Sequence, residues 1–185
     1  MFKQAMKLIE GFSATVTRKR DFQDKLPIKG MFPVVEHWRN GKLLNTYSFP
    51  NAITNVGKDY LLNAGFNTGT VVAQANWCMG LVDNASFSAF APGDTMASKG
   101  WTEFTGYSQS ARVAWGQATS TAQTVTNGTP CTFDITATGN LNGIFICSNN
   151  TKGGTSGILW TEGSFPSVVP VVSGDQIKST YALSA

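Results

Sequence analysis

The stretch MFPVVEHWRNGKLLNTYSF, residues 31–49, has two runs of strand-forming residues on either side of a short polar break. The break contains Asn40-Gly41, a pair that readily adopts the positive φ angles of a type I′ turn. The flanking runs are rich in β-branched and aromatic residues, which favour strands. This stretch therefore predicts a β-hairpin and an antiparallel sheet.

Downstream of the hairpin, short strand-like runs recur between turn-forming residues. In the run 131–137, Cys131, Phe133 and Ile135 alternate with polar residues, as in an antiparallel strand with one face buried. About nine such runs predict an all-β fold, an antiparallel β-sandwich or jelly-roll-like domain over residues 31–185. The predicted runs are 76–82, 101–107, 112–117, 123–126, 131–137, 141–147, 157–161, 168–172 and 176–183.

One short helix interrupts the strands, within residues 51–66. Val56, Tyr60 and Ala64, with Leu61, form one stripe of a helix with 3.6 residues per turn. Asn55 is a suitable residue to cap its start, and Gly65 is placed to end it in a left-handed conformation. We expect this helix to pack against the sheets.

Residues 1–30 form a separate unit, which we interpret as an extended N-terminal arm. A helix as short as its first ten residues is marginal in water unless a partner covers its apolar stripe. The rest of the arm shows no lasting periodicity. We therefore predict that the arm binds another surface, and its candidate binding residues are Phe2, Met6 and Ile9 on the stripe, the basic run Arg18, Lys19 and Arg20, and Phe22.

The composition limits the choice of partners. Charged residues make up only 14% of the 185 residues, against about 25% in typical soluble proteins. The net charge of +3 is too small to predict a specific nucleic-acid partner. Residues 1–60 have a net charge of +5 and residues 61–185 have −2.

No run of apolar residues is long enough for a membrane span. The chain has three cysteines without CxxC spacing, and we predict that they are buried free thiols.

The sequence offers little catalytic chemistry. The chain has one histidine, His37, which lies in the hairpin, where a structural or surface role is expected. Four carboxylates lie near turns, Asp83, Asp94, Glu103 and Glu162, and a glycosidase-like pair among them remains open. Asp94 is explained as a cap of a short helical turn, and Glu103 as an outward-facing strand residue. The glycine-rich stretch 151–157 lacks the order of a phosphate-binding loop and predicts a turn. We therefore predict no enzymatic activity and no catalytic, cofactor or metal site.

Aromatic residues leave a second alternative open. Several tryptophans and a tyrosine are spread over the strand-rich region, where they would either fill the core or stack on sugars. The residues in question are Trp77, Trp101, Tyr107, Trp115 and Trp160.

Several short motifs, taken in order, resemble a group of tailed-bacteriophage structural proteins that are often encoded close to the major capsid protein. The motifs cover most of residues 31–185. They are Asn51 to Leu62, Trp77 to Asp83, Asp94 to Glu103, Tyr107 with Arg112, Gly157 to Trp160, and Gly174 to Ser184. The resemblance implies a location in the virion and no active site.

Together, the resemblance and the arm favour a capsid decoration (cement) protein or a minor capsid protein. Its expected partner is the major capsid protein, or a tail protein of the same virion, and we expect it to form a homo-oligomer after synthesis in the bacterial cytoplasm. Two alternatives are a tail or fibre-attachment protein and a carbohydrate-binding module on the virion surface.

Overall fold

The computed structural model describes residues 27–67 and 69–185. Most of the predicted arm lies outside the described residues. The same holds for all of its candidate binding residues, which are Phe2, Met6, Ile9, Arg18, Lys19, Arg20 and Phe22. The rest of the chain is almost entirely strand and connecting loop. The elements are β1 (Lys29–Arg39), β2 (Lys42–Pro50), β3 (Ala52–Ile53), α1 (Asn55–Phe66), a 3-10 turn (Gln74–Asn76), β4 (Cys78–Asp83), β5 (Thr102–Phe104), β6 (Val113–Ala114), β7 (Thr124–Thr126), β8 (Cys131–Asp134), β9 (Gly139–Cys147), β10 (Leu159–Val171) and β11 (Asp175–Ser184).

The strands form two antiparallel sheets. The first has the order β2-β1-β11-β7, and β8 also pairs with β11 next to β7. The second has the order β3-β10-β9-β4-β5, and β6 also pairs with β4. The prediction of an all-β antiparallel sandwich with one helix is confirmed.

The predicted hairpin is formed by β1 and β2. Asn40 and Gly41 have φ angles of 50° and 72°, as a type I′ turn requires. β1 begins at Lys29, two residues before the predicted start of the hairpin, and Lys29 pairs with Ser184 of β11. The last residues of the predicted arm therefore belong to a sheet.

The two sheets enclose one core. Phe32, Val35 and Phe49 of the first sheet pack with residues of the second, such as Leu81 and Ile144. A smaller cluster contains Val82, Met96, Trp101, Phe145, Cys147 and Leu159, and the loop between β4 and β5 contributes to it. That loop is thus held by apolar burial, although it has no regular structure of its own.

Several predicted strand boundaries are wrong. The runs 157–161 and 168–172 are parts of one strand, β10, whose pairing with β9 is interrupted between Ser164 and Val169. Pro166 lies in this interval and has no N–H to donate, so the chain stays extended without continuous pairing. Three strands are shorter than the predicted runs 101–107, 112–117 and 131–137: they are β5, β6 and β8.

Candidate interaction surface

Helix α1 is fixed to the second sheet at its first turn. The Thr54 hydroxyl accepts a hydrogen bond from the Gly57 N–H at 3.1 Å, and the Thr54 N–H donates to the Trp160 carbonyl oxygen at 3.1 Å. Gly57 allows close contact, because a Cβ there would lie 2.6 Å from the same carbonyl oxygen. The prediction that Asn55 caps the helix was wrong by one residue, since Thr54 is the cap and Asn55 is already helical.

The helix also ends differently from the prediction. Gly65 does not adopt a positive φ angle, and α1 continues to Phe66. Val56 and Tyr60 of the predicted inner stripe pack against the two clusters of buried residues, whereas Leu61, which was also predicted on this stripe, is 36% exposed. The Tyr60 ring lies 5.2 Å from the Trp77 ring, and its hydroxyl accepts a hydrogen bond from the Val72 N–H at 3.0 Å.

Helix α1 also exposes several apolar side chains. Leu61 is 36% exposed, Leu62 is 58% exposed and Phe66 is 91% exposed. Single exposed apolar residues are normal on protein surfaces, whereas a cluster of them often marks a site of interaction. The sequence prediction missed this cluster because it placed Leu61 on the inner stripe and did not consider Leu62 or Phe66.

An apolar groove runs beside these leucines. We call it the α1 groove; it has a volume of about 310 Å³ and is lined by Ile28, Ile53, Lys58, Leu61, Leu62 and Trp160. A smaller apolar cavity of about 150 Å³ shares Leu61 and Trp160 with it and reaches Trp77 and Trp115. Ile28 is the second described residue of the chain, so the first described residues lie at this groove.

Charge is divided unequally between the domain and the segment that precedes it. Residues 27–185 contain eight Lys/Arg and eight Asp/Glu, so their net charge is zero. Residues 1–26 contain six Lys/Arg and three Asp/Glu, so they carry the whole net charge of +3. Electrostatic attraction to an acidic partner would therefore come from the N-terminal segment.

Glu162 on β10 is a buried carboxyl group with a raised pKa. Its Oε2 accepts a hydrogen bond from the Trp101 indole N–H at 3.0 Å, and its Oε1 accepts one from the Ala91 N–H at 3.1 Å. Asp94 Oδ2 accepts from the same Ala91 N–H at 3.2 Å, so the two carboxyl groups converge. Burial, and then the negative charge of Asp94, raise the pKa of Glu162 to about 7.

This arrangement corrects the predicted role of Asp94. Residues 95–98 form a turn, in which the Thr95 N–H donates to the Ser98 carbonyl oxygen at 2.9 Å, and no helix follows Asp94. Asp94 instead folds back on Ala91. Its hydrogen bond closes a turn within the loop between β4 and β5, and Glu162 holds that loop against β10 by accepting from Ala91 and Trp101.

Glu103 was also predicted wrongly, as an outward-facing residue. Its side chain is 4% exposed and pairs with Arg112, whose side chain is fully buried, at 2.8 Å between Oε2 and Nη2. Arg112 also donates to the carbonyl oxygens of Asn149 and Gly154, at 2.9 and 2.6 Å. The ion pair thus ties the glycine-rich turn at 151–157 to the edge of the second sheet.

His37 has a structural environment, as expected. Its Nε2 lies 2.8 Å from Asp175 Oδ2, and Arg39 Nε donates to the other oxygen of the same carboxylate at 2.6 Å. Burial alone would raise the pKa of Asp175, but the hydrogen bonds from Arg39 and then His37 lower it well below the ordinary value. The group joins β1 to β11 near the hairpin turn.

The aromatic residues considered for sugar binding fill the interior instead. All of them are buried: Trp77, Trp101, Tyr107, Trp115 and Trp160.

The three cysteines are buried free thiols, as predicted, and burial raises the pKa of Cys78 to about 11 and that of Cys131 to about 12. Within residues 27–67 and 69–185, no group of three or more His, Cys, Asp or Glu is arranged to hold a metal ion.

Among the described residues, no helix has the length and apolar character needed to cross a membrane. No model of a known protein family matches the chain, and no curated protein matches it significantly. The resemblance to phage structural proteins therefore stays a prediction from the sequence motifs.

Proposed function

We propose that this protein is a structural component of a tailed-phage virion, a capsid decoration or minor capsid protein that binds the head shell through its N-terminal arm and its β-domain. The observation that carries the proposal is the division of charge and apolar surface. A neutral antiparallel sandwich is preceded by a segment of 26 residues with a net charge of +3, and an apolar groove lies where the two meet.

This arrangement suits a protein that works by attachment. An ordered β-sandwich is a stable body, while an arm gains order on binding and can cover a large partner surface. Charged groups inside the domain serve its own packing, as the pairs of Glu103 with Arg112 and of His37 with Asp175 illustrate. These groups hold loops and strands of the domain together.

The position of the protein on the particle is the first test. Virions of the phage that encodes the chain are labelled with gold-tagged antibody against the folded domain. We expect label over the heads. Label confined to the tails would replace the proposal with a tail or fibre-attachment role, and particles free of label would overturn a virion role.

The arm is the second test. A full-length variant in which Arg18, Lys19 and Arg20 are changed to Ser should bind purified heads at least about tenfold more weakly in co-sedimentation, since three favourable charges are removed. The control changes the exposed residues Lys42 and Ser48 of β2 to Glu, which gives the same net charge and leaves the α1 groove as it is. Equal weakening in both variants would show that overall charge, not the arm, governs binding.

A further inference from the structure

The α1 groove exposes apolar side chains that another apolar segment could cover. Leu61 and Leu62 line it while remaining 36% and 58% exposed, and Phe66 at the end of the same helix is 91% exposed. Ile28 also lines the groove, so the chain enters the domain from within it. The segment that precedes Ile28 carries an apolar stripe, Phe2, Met6 and Ile9, at helical spacing.

We infer that, in the free protein, the stripe of Phe2, Met6 and Ile9 docks in the α1 groove of its own chain. Eighteen residues separate Ile9 from Ile28. Such a linker spans at most about 60 Å when extended, and about 23 Å on average when flexible, so the stripe can return to the groove. Tethering also gives the stripe a high effective concentration there, which a separate molecule lacks.

We expect the docking to be reversible, because few contacts would hold the stripe in the groove. A helix of about ten residues is marginal by itself, and the groove supplies only the apolar contacts that its stripe lacks. A partner surface that offers contacts to both the stripe and the basic run Arg18-Lys19-Arg20 would displace the arm. The inference goes beyond the proposed virion role and does not depend on it, because it concerns the protein before any partner is bound.

Disulfide trapping in the full-length chain tests the contact directly. The variant Met6→Cys/Leu62→Cys is oxidised with copper-phenanthroline at low protein concentration, and cross-linked peptides are identified by mass spectrometry. The matched control is Met6→Cys/Leu44→Cys, since Leu44 on β2 is 45% exposed but lies near the hairpin turn, away from the groove. The native cysteines are buried, so they compete little.

We expect intrachain cross-links between positions 6 and 62 to form at least tenfold faster than between positions 6 and 44. Equal rates would overturn the inference, because they would describe an arm without a preferred site. Cross-linked dimers between positions 6 and 62 would also overturn it and would assign the groove to the arm of a second copy.

A measurement without cross-linking keeps the result independent of cysteine chemistry. Trypsin should cleave after Lys3 and Lys7 at least fivefold faster in Leu62→Glu than in the unchanged protein, because a charge in the groove expels the stripe. The control Leu44→Glu should leave the rate unchanged. Unchanged cleavage in Leu62→Glu would contradict docking, whereas the head-binding assay with this variant tests the virion role separately.

Discussion

The buried pair of Glu162 and Asp94 makes the stability of this protein depend on pH, and the direction is fixed by the structure. The pKa of Glu162 rises from 4.5 to about 7 because the group is buried and faces Asp94. The native state therefore holds this proton more tightly than the unfolded chain does. The resulting stabilisation is complete below about pH 4.5 and is lost as the pH rises to about 7.

The size of the effect follows from the difference between the two pKa values. A difference of about 2.5 corresponds to about 3 kcal/mol, at about 1.4 kcal/mol for each unit. Typical domains are stable by only 5–15 kcal/mol, so a loss of this order is measurable. Urea unfolding at pH 5, 6, 7 and 8 should show the free energy of unfolding falling by about 2–3 kcal/mol across this range.

The change Glu162→Gln isolates the responsible group. Glutamine resembles the protonated acid, because it keeps one acceptor oxygen and offers a donor to Asp94. We expect the variant to lose most of the pH dependence and to be more stable than the unchanged protein at pH 8. Asp94→Asn should act in the same direction by removing the second cause of the raised pKa.

A matched control is available on β1. The Glu36 carboxylate also accepts a hydrogen bond from a tryptophan, Trp38, at 2.8 Å, but it is only half-buried. Glu36→Gln should leave the pH dependence as it is. The reasoning would be refuted if the unchanged protein were equally stable at pH 5 and pH 8, or if Glu162→Gln kept the full dependence.

Three further predictions concern the stability of the domain. Arg112→Met should lower the free energy of unfolding by about 3–5 kcal/mol in urea, because it leaves the Glu103 carboxylate buried without its partner, and adding Glu103→Gln should recover much of the loss. Thr54→Ala should cost about 1 kcal/mol by removing the cap on the Gly57 N–H, while Thr54→Ser should cost less, as thermal unfolding would show. The lowered pKa of Asp175 predicts stability that is present above about pH 4 and lost on further acidification, and acid titration of Asp175→Asn should show a smaller loss.

Local sequence signals predicted the sheets well and the helix ends poorly. The hairpin was predictable because Asn40-Gly41 specifies its turn within the chain itself. The helix start was ambiguous, because Thr54 and Asn55 are both good caps, and only the hydrogen bond of Thr54 to Trp160 on a distant strand selects the first. Gly65 can adopt a positive φ angle, but it does not do so, and the helix continues to Phe66.

The positions of the buried carboxylates and of the α1 groove were harder to predict, because they result from contacts between segments that are distant in the sequence. Alternation placed Glu103 outside, whereas Arg112, nine residues later, turns back and pairs with it. Glu162 and Asp94 were two of four carboxylates noted near turns, but their proximity was not predictable, because Asp94 and Ala91 reach Glu162 from a loop without periodicity. The α1 groove likewise needs Ile28 and Trp160, which are far apart in the chain.

These observations separate what keeps the domain folded from what would attach it. Charged residues of the domain such as Arg112 and Asp175 form ion pairs within it. Residues 27–185 have a net charge of zero, so the domain exerts little long-range electrostatic attraction. Residues 1–26 carry the net charge of +3, and charge governs the rate of encounter more than the strength of a packed contact. Apolar contacts, such as those that the α1 groove offers, govern how long a contact lasts. In the proposed docking, a partner that displaced the stripe of Phe2, Met6 and Ile9 would therefore gain the groove as well as the arm.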